Sequence, residues 1–396
     1  MDPARNPFAP GAGSQPPELV GRSDVLDRAK TALARARNGK HARSALLYGL
    51  RGVGKTVLLN RIQKVAEDEG YETALLEAPE ERRLVELLAP PLRQLLLRLD
   101  LKEGAKQKLR AALGALHAFA STFDVKIGDV GVGIKPPAGT ADSGVLGNDL
   151  TDLLVAVGEA AQERRSAVAL FLDELQYVDE SELADLIGGL HRVGQLNLPL
   201  LVFGAGLPQL VGFTGQARSY AERLFHFEAI GKLSDADAAR AIGRPIQDEG
   251  ANIEKTAVKS ILEATQGYPY FLQEWGSHSW NEAAKSPIKK ADALAAGKKA
   301  IATLDSGFFR VRFDRLTPRE RDYLRAMAEL GEGPHRSGDI AECLGINVES
   351  AAPLRSGLIK KGMIYSPQHG DTAFTVPLFD EYMKRVIPNL KLKKKA

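Results

Sequence analysis

Residues 49–56 read Gly-Leu-Arg-Gly-Val-Gly-Lys-Thr and meet the pattern G-x-x-x-x-G-K-[ST] at every fixed position. No other stretch constrains the chain as tightly. The glycines let the backbone curl so that several N–H groups face inward. The helix that follows turns the positive end of its dipole toward the same point. The pattern predicts a phosphate-binding loop formed by Gly49, Gly52, Val53, Gly54, Lys55, Thr56 and Val57. Lys55 would meet the outer phosphates of a nucleotide and Thr56 would hold Mg²⁺.

Both flanks suit that reading. Ser44–Tyr48 is a short apolar run fit for a buried strand, and Val57, Leu58, Leu59, Ile62, Val65 and Ala66 recur at helical spacing until Gly70. A second anchor lies 118 positions beyond Lys55, where the apolar run from Val168 ends in Leu172, Asp173 and Glu174. A buried strand of a parallel sheet delivers its last side chains to the edge where ligands collect. Asp173 is therefore the expected second metal ligand. Glu174 is expected to orient and deprotonate a water that attacks the γ-phosphate. The spacing implies an insertion, residues 83–147, between core elements.

With 396 residues the chain is too long for one ordinary core. It is 44% hydrophobic and 26% charged, and no apolar stretch approaches the ~18 residues of a membrane span. No secretory signal is read at its start. One cysteine, Cys343, leaves no intramolecular disulfide, and the seven histidines lack zinc-site spacing, so a cytoplasmic setting without membrane or structural metal is expected. A net charge of +3 does not by itself argue for nucleic acid.

Residues 1–17, rich in proline and glycine, are expected to form a flexible leader. A helix through Val25, Leu26, Ala29 and Leu33 precedes the loop. Strands are expected at Tyr71–Leu76, Val168–Leu172, Leu198–Gly204 and Phe225–Ile230, and a hairpin at Phe123–Lys135. Strands alternating with helices predict a mostly parallel sheet covered on both faces. From Ser234 the pattern is helical until about Phe309. Trp275 and Trp280, with Tyr268, Tyr270 and Phe271, are spaced for helical core packing rather than a ligand cage.

Taken together, residues 18–305 resemble the AAA+ ATPases and related signal-transducing P-loop ATPases, most closely bacterial relatives of the origin-recognition ATPases. The resemblance rests on the order Val20-Gly-Arg22, Gly49–Thr56, Leu172–Glu174, Phe203–Gly206, Ser219–Arg223 and Gly267-Tyr-Pro269. It implies an α/β P-loop NTPase core over residues 18–232 and a helical lid over 233–305. It also implies an adenine pocket near Val20, Gly21 and Arg22, and a lid contact at Pro269. Two departures stand out. Ala205 or Gly206 occupies the usual place of a polar sensor, and the lid carries Gln266-Gly-Tyr-Pro269 in place of a sensor arginine, so hydrolysis of ATP is expected to be slow. Arg218 and Arg223 fall where such ATPases offer an arginine finger to a neighbouring subunit of a homo-oligomer, or else they are solvated residues of an amphipathic helix.

Residues 306–396 read as a separate module. Thr317-Pro-Arg-Glu320 is a capping box with proline at the first helical position. Two further helices follow, stopped by Gly345 and Gly362, and then two short strands around residues 367–371. Three helices and a β-wing resemble a winged helix-turn-helix domain. The module holds 16 basic and 11 acidic residues, which leaves the remainder slightly acidic. That asymmetry favours duplex DNA, with Ser350, Arg355, Ser356, Lys360, Lys361 and His369 as contacts. A protein partner docked on the same module is the alternative, as in a signalling protein that binds ATP or ADP and turns over slowly. A small-molecule kinase using the same loop would leave the module without a purpose.

Overall fold

The computed structural model describes residues 1–396 except 12, 14, 15, 18, 81, 101–106, 128–138, 213–220 and 390–396. The chain divides into two compact units: residues 23–48 with 55–229, and residues 1–22 with 49–54 and 230–396.

The first unit is built on five parallel strands: β1 (Ser44–Tyr48), β2 (Tyr71–Glu77), β3 (Ala167–Asp173), β4 (Leu200–Gly206) and β5 (Phe225–Ala229). Their order is β2-β3-β4-β1-β5. Every residue of β3 and β4 is buried, which requires cover on both faces of the sheet and explains their continuous apolar runs. The cover comes from α1 (Ser23–Arg37), α2 (Lys55–Asp68), α3 (Leu84–Asp100) and α5 (Leu146–Glu163), with α4 (Gln107–Thr122) and α6 (Glu180–Gln195) packed on α5. The expected insertion supplies α3, which lies on β2, and α4, which packs on α5 with Leu109, Leu116 and Phe119 buried. Most of the hairpin expected at Phe123–Lys135 lies outside the described residues, and residues 123–127 form no strand. β4 starts and ends two residues later than its apolar run suggested. Pro199, which has no N–H to give a ladder, stands before it.

The second unit holds α8 (Asp235–Asp248), α9 (Lys255–Thr265), α10 (Pro269–Glu282) and α11 (Lys290–Leu304). The first unit's last helix, α7 (Ala221–Leu224), is a single turn. The Ser234 side chain caps α8 by accepting from the Asp237 amide at 3.1 Å, as the Ser-x-x-Asp spacing predicts. A π-turn at Asp305–Phe309 joins α11 to α12 (Arg310–Asp314), so the helical run continues through residue 306. There follow α13 (Pro318–Glu329), β6 (His335–Arg336), α14 (Ser337–Leu344), α15 (Val348–Lys360), β7 (Ile364–Tyr365), β8 (Asp371–Phe374) and α16 (Phe379–Val386). The three short strands form an antiparallel sheet in the order β6-β8-β7. The capping box at Thr317 is present in full, with Thr317 N–H donating to Glu320 at 2.8 Å.

One apolar core runs through this unit, from Phe271, Trp275 and Trp280 to Phe309, Phe379 and Tyr382. The two tryptophans are buried as core, not arranged as a cage. The leader departs from expectation: residues 1–10 are docked on α10 rather than flexible. Phe8 is buried against Gly276, where a side chain would collide with its ring. Asn6 donates to the Ser277 carbonyl at 3.1 Å, and the Trp280 indole donates to the Asp2 carbonyl at 2.7 Å. A single phenylalanine with a fitting slot outweighs a composition poor in apolar residues.

Candidate functional site

In the first unit the C-terminal end of β3 meets the start of α2. Lys55 opens α2 and is buried. Thr56 Oγ1 donates to Asp173 Oδ2 at 2.6 Å, and the Glu174 amide donates to Asp173 Oδ1 at 2.8 Å. The Asp173 carboxylate is 6% exposed. Burial pushes its pKa up, while the hydrogen bonds from Thr56 and Glu174 and the charge of Lys55 pull it back. A hydroxyl and a carboxylate held this close are hard oxygen donors of the kind Mg²⁺ takes, so the residues present fit that ion. No cluster of three or more His, Cys, Asp or Glu suited to a metal occurs among the described residues.

Glu174 stands at φ 55° and ψ 36°, in the left-handed region that residues other than glycine seldom adopt. That conformation turns the chain sharply after β3. The Gln176 side chain donates to the Glu174 carboxylate and accepts from the Leu207 amide, the latter at 3.0 Å. Gln176 is a site residue that spacing did not single out.

The electrostatics of Asp173 carry a stability consequence. Its folded pKa lies above the unfolded value, so ionising it costs the fold stability once the pH rises past the unfolded pKa. Asp173→Asn is therefore expected to raise the melting temperature of the nucleotide-free protein at neutral pH. It is also expected to lose most of the increment that saturating Mg-ATP gives wild type, about 2.7 kcal/mol at a hundred times Kd. Thermal melts with and without Mg-ATP check both signs.

In the second unit, residues 49–54 form the loop segment joined to Tyr48 and Lys55. Gly52 and Gly54 take φ of 78° and 89°, which the curled loop needs and an L side chain resists. The Gly52 carbonyl accepts from the Tyr270 amide at 3.1 Å, in the first turn of α10 just after Pro269. The Arg51 amide donates to the Thr375 carbonyl at 2.8 Å, and Val53 is buried. Of the expected adenine-pocket residues, Val20 is buried. The Arg22 guanidinium donates to the carbonyls of Val53, at 3.4 Å, and of Gly231. Burial lowers the Arg22 pKa against the opposing charge of Asp237.

A family model described as an AAA ATPase domain matches residues 18–203. Residues 18–203 are an AAA ATPase domain. A second model, described as Domain of unknown function (DUF8462), matches residues 306–383. The fold of the ATPase chain is similar to that of the Walker-type ATPase paby2304 of Pyrococcus abyssi. The TM-score is 0.54, with 15% identity over 92% of this chain and 96% of that one. Looser likenesses include the Orc1 protein of Aeropyrum pernix in complex with DNA, with TM-score 0.47, 16% identity, and 97% and 96% coverage. Another is the RuvB Holliday junction branch migration motor of Thermotoga maritima, with TM-score 0.43, 15% identity, and 92% and 95% coverage. No curated protein matches the chain.

Among the other residues expected at the ATPase site, Arg223 lies exposed in α7 and Arg218 lies outside the described residues. Two of the expected duplex contacts are turned inward. Arg355 donates to Thr372 Oγ1 at 3.0 Å, Ser366 Oγ at 2.8 Å and the Asp371 carbonyl. Lys361 pairs at 2.7 Å with Glu320, the acidic member of the α13 capping box. Both side chains bind their own module, which a count of charges along the chain does not reveal.

Proposed function

We propose that this ATPase is a Mg-ATP-driven switch whose nucleotide state is read by residues 306–396. The observation that carries the proposal is the Thr56–Asp173 pair at 2.6 Å, beside the buried Lys55. Thr56 and Asp173 hold the metal, and Lys55 donates to the outer phosphates. Gly49, Gly52, Val53, Gly54 and Val57 complete the loop, and Val20, Gly21, Arg22 and Pro269 are further nucleotide contacts in this reading. Mg²⁺ held there would supply charge neutralisation during the transfer. Glu174 orients a water and accepts its proton as the water oxygen bonds to the γ-phosphorus. The bond from that phosphorus to the bridging oxygen breaks, leaving ADP. Arg223, or Arg218, supplies a positive charge to a neighbouring copy after assembly.

The link between loop and C-terminal module is supported by the hydrogen bond from Arg51 to Thr375. Residues 18–232 serve as core, 233–305 as lid and 306–396 as a winged helix with a basic tail, a reading supported by α13, α14, α15 and the strands β6, β7 and β8. No helix among the described residues is long and apolar enough to cross a membrane.

For the output, duplex DNA remains the leading partner, with Ser350, Ser356 and Lys360 on α15 and His369 beyond it as contacts. Of these only Lys360 carries a fixed positive charge, so a salt slope near −1 in log affinity against log salt is expected, and binding is expected to vanish on deleting residues 306–396. Filter binding at several salt concentrations reads this. No binding at low salt would favour the second reading, a protein partner. That reading gains from the inward bonds of Arg355 and Lys361 and from the exposed Val348 on α15.

A further inference from the structure

We propose that Gln176 is the positioning residue for Glu174 and fills the sensor role that β4 does not supply. The inference rests on the reading of Glu174 as the base. The polar side chain that such a site expects at the end of β4 is absent, because Gly204, Ala205 and Gly206 stand there. The structure gives a steric reason. A Cβ on Gly204 would meet Leu175 Cδ1 at 2.4 Å and Leu46 at 2.5 Å, and one on Gly206 would meet Gln176 Oε1 at 3.0 Å. The two glycines clear the space into which the turn after β3 folds. Leu175 is buried over Gly204, and Gln176 lies over Gly206.

From that place the Gln176 amide works in both directions. Its oxygen accepts from the Leu207 N–H at 3.0 Å, at the end of β4, and its nitrogen donates to Glu174 Oε2. An amide is the one side chain of this length that can accept from a backbone N–H and donate to a carboxylate at once. The backbone at Glu174 is left-handed, and across that turn the Gln176 and Glu174 side chains are hydrogen-bonded. The carboxylate of Glu174 is thereby referenced to the sheet through β4, although β4 contributes only a backbone amide. The polar group comes instead from the residue two positions after the base.

The test compares Gln176→Ala, Gln176→Glu, Glu174→Gln and the double variant Glu174→Gln/Gln176→Ala in the full chain. It measures kcat and KM for Mg-ATP, the affinity for a fluorescent ATP analogue, and the melting temperature. Gln176→Ala is expected to lower kcat by about 10- to 100-fold, the scale of a misplaced catalytic group, with analogue affinity unchanged within about twofold. Gln176→Glu keeps the acceptor for Leu207 and loses the donor to Glu174, so it should fall as far as Gln176→Ala. A mere brace for β4 would leave Gln176→Glu near wild type, and that result overturns the proposal. So does a Gln176→Ala kcat within about twofold of wild type, or a loss shared equally by affinity and melting temperature. In the Glu174→Gln background, adding Gln176→Ala should change kcat no further, because the side chain acts through Glu174. If Glu174→Gln itself turns over like wild type, the reading of the base fails. If only Gln176→Ala does, the base stands and the positioning role falls.

Discussion

Glu174→Gln is expected to bind Mg-ATP as wild type does and to lose about 10²- to 10⁴-fold in kcat, the usual worth of a general base. The substitution preserves length and one acceptor oxygen and removes the charge and the ability to take a proton. In the proposed reading affinity rests instead on Lys55, the loop amides and the Thr56–Asp173 pair. A change confined to kcat therefore separates the chemical step from binding. Phosphate release in single turnover, with nucleotide titration on the same preparation, reads both quantities. A wild-type rate would remove Glu174 from the chemistry and leave the water to be oriented by another group. A matching loss of affinity would make Glu174 part of the binding loop's scaffold.

Phe309→Ala is expected to destabilise the unit of residues 1–22, 49–54 and 230–396 by about 3–5 kcal/mol, the cost of emptying a well-packed aromatic site. The ring is 1% exposed and lies 5.2 Å from Tyr382, stacked on it. It is also 5.8 Å from Phe379, 5.3 Å from Phe308 and 6.4 Å from Phe271. Phe271 belongs to α10 and Tyr382 to α16, so one side chain ties the helices before residue 306 to the module after it. Denaturant titration followed by tryptophan fluorescence at Trp275 and Trp280 reports the loss. A drop below about 1 kcal/mol, or two separate transitions already in wild type, would mean that residues 306–383 fold without their neighbours.

Those two residues mark the difference between what was legible in the sequence and what was not. Glu174 was legible because an apolar run ending in two carboxylates has a fixed consequence in a parallel sheet: the strand is buried and its last side chains reach the edge. The loop glycines, the cap at Ser234, the capping box at Thr317 and the alternation of strands and helices are equally local. Each depends on residues within a few positions of one another, so its pattern survives in one dimension. Phe309 gave no such signal. Its partners lie up to 73 positions downstream, at Tyr382, and the helical periodicity around it says only that some face is covered.

The same contrast governs the electrostatics. Sixteen basic residues in the C-terminal module suggested a phosphate-facing surface, but charge count does not record direction. Arg355 bonds to Ser366, Asp371 and Thr372, and Lys361 to Glu320. The leader is a similar case, since proline and glycine promised disorder while Phe8 found a slot at Gly276, 268 positions away.

The sequence alone determined the phosphate-loop pattern, the two carboxylates at the end of β3 and the parallel sheet, because spacing within a strand or turn dictates geometry there. Only the tertiary structure decided what faces those groups: Thr375 on the loop's Arg51, Tyr270 on Gly52, and Gln176 over the glycines of β4. Each of these contacts is made by chain segments brought together by burial of apolar surface, which acts without regard to sequence distance and leaves no periodic trace in the residues it joins.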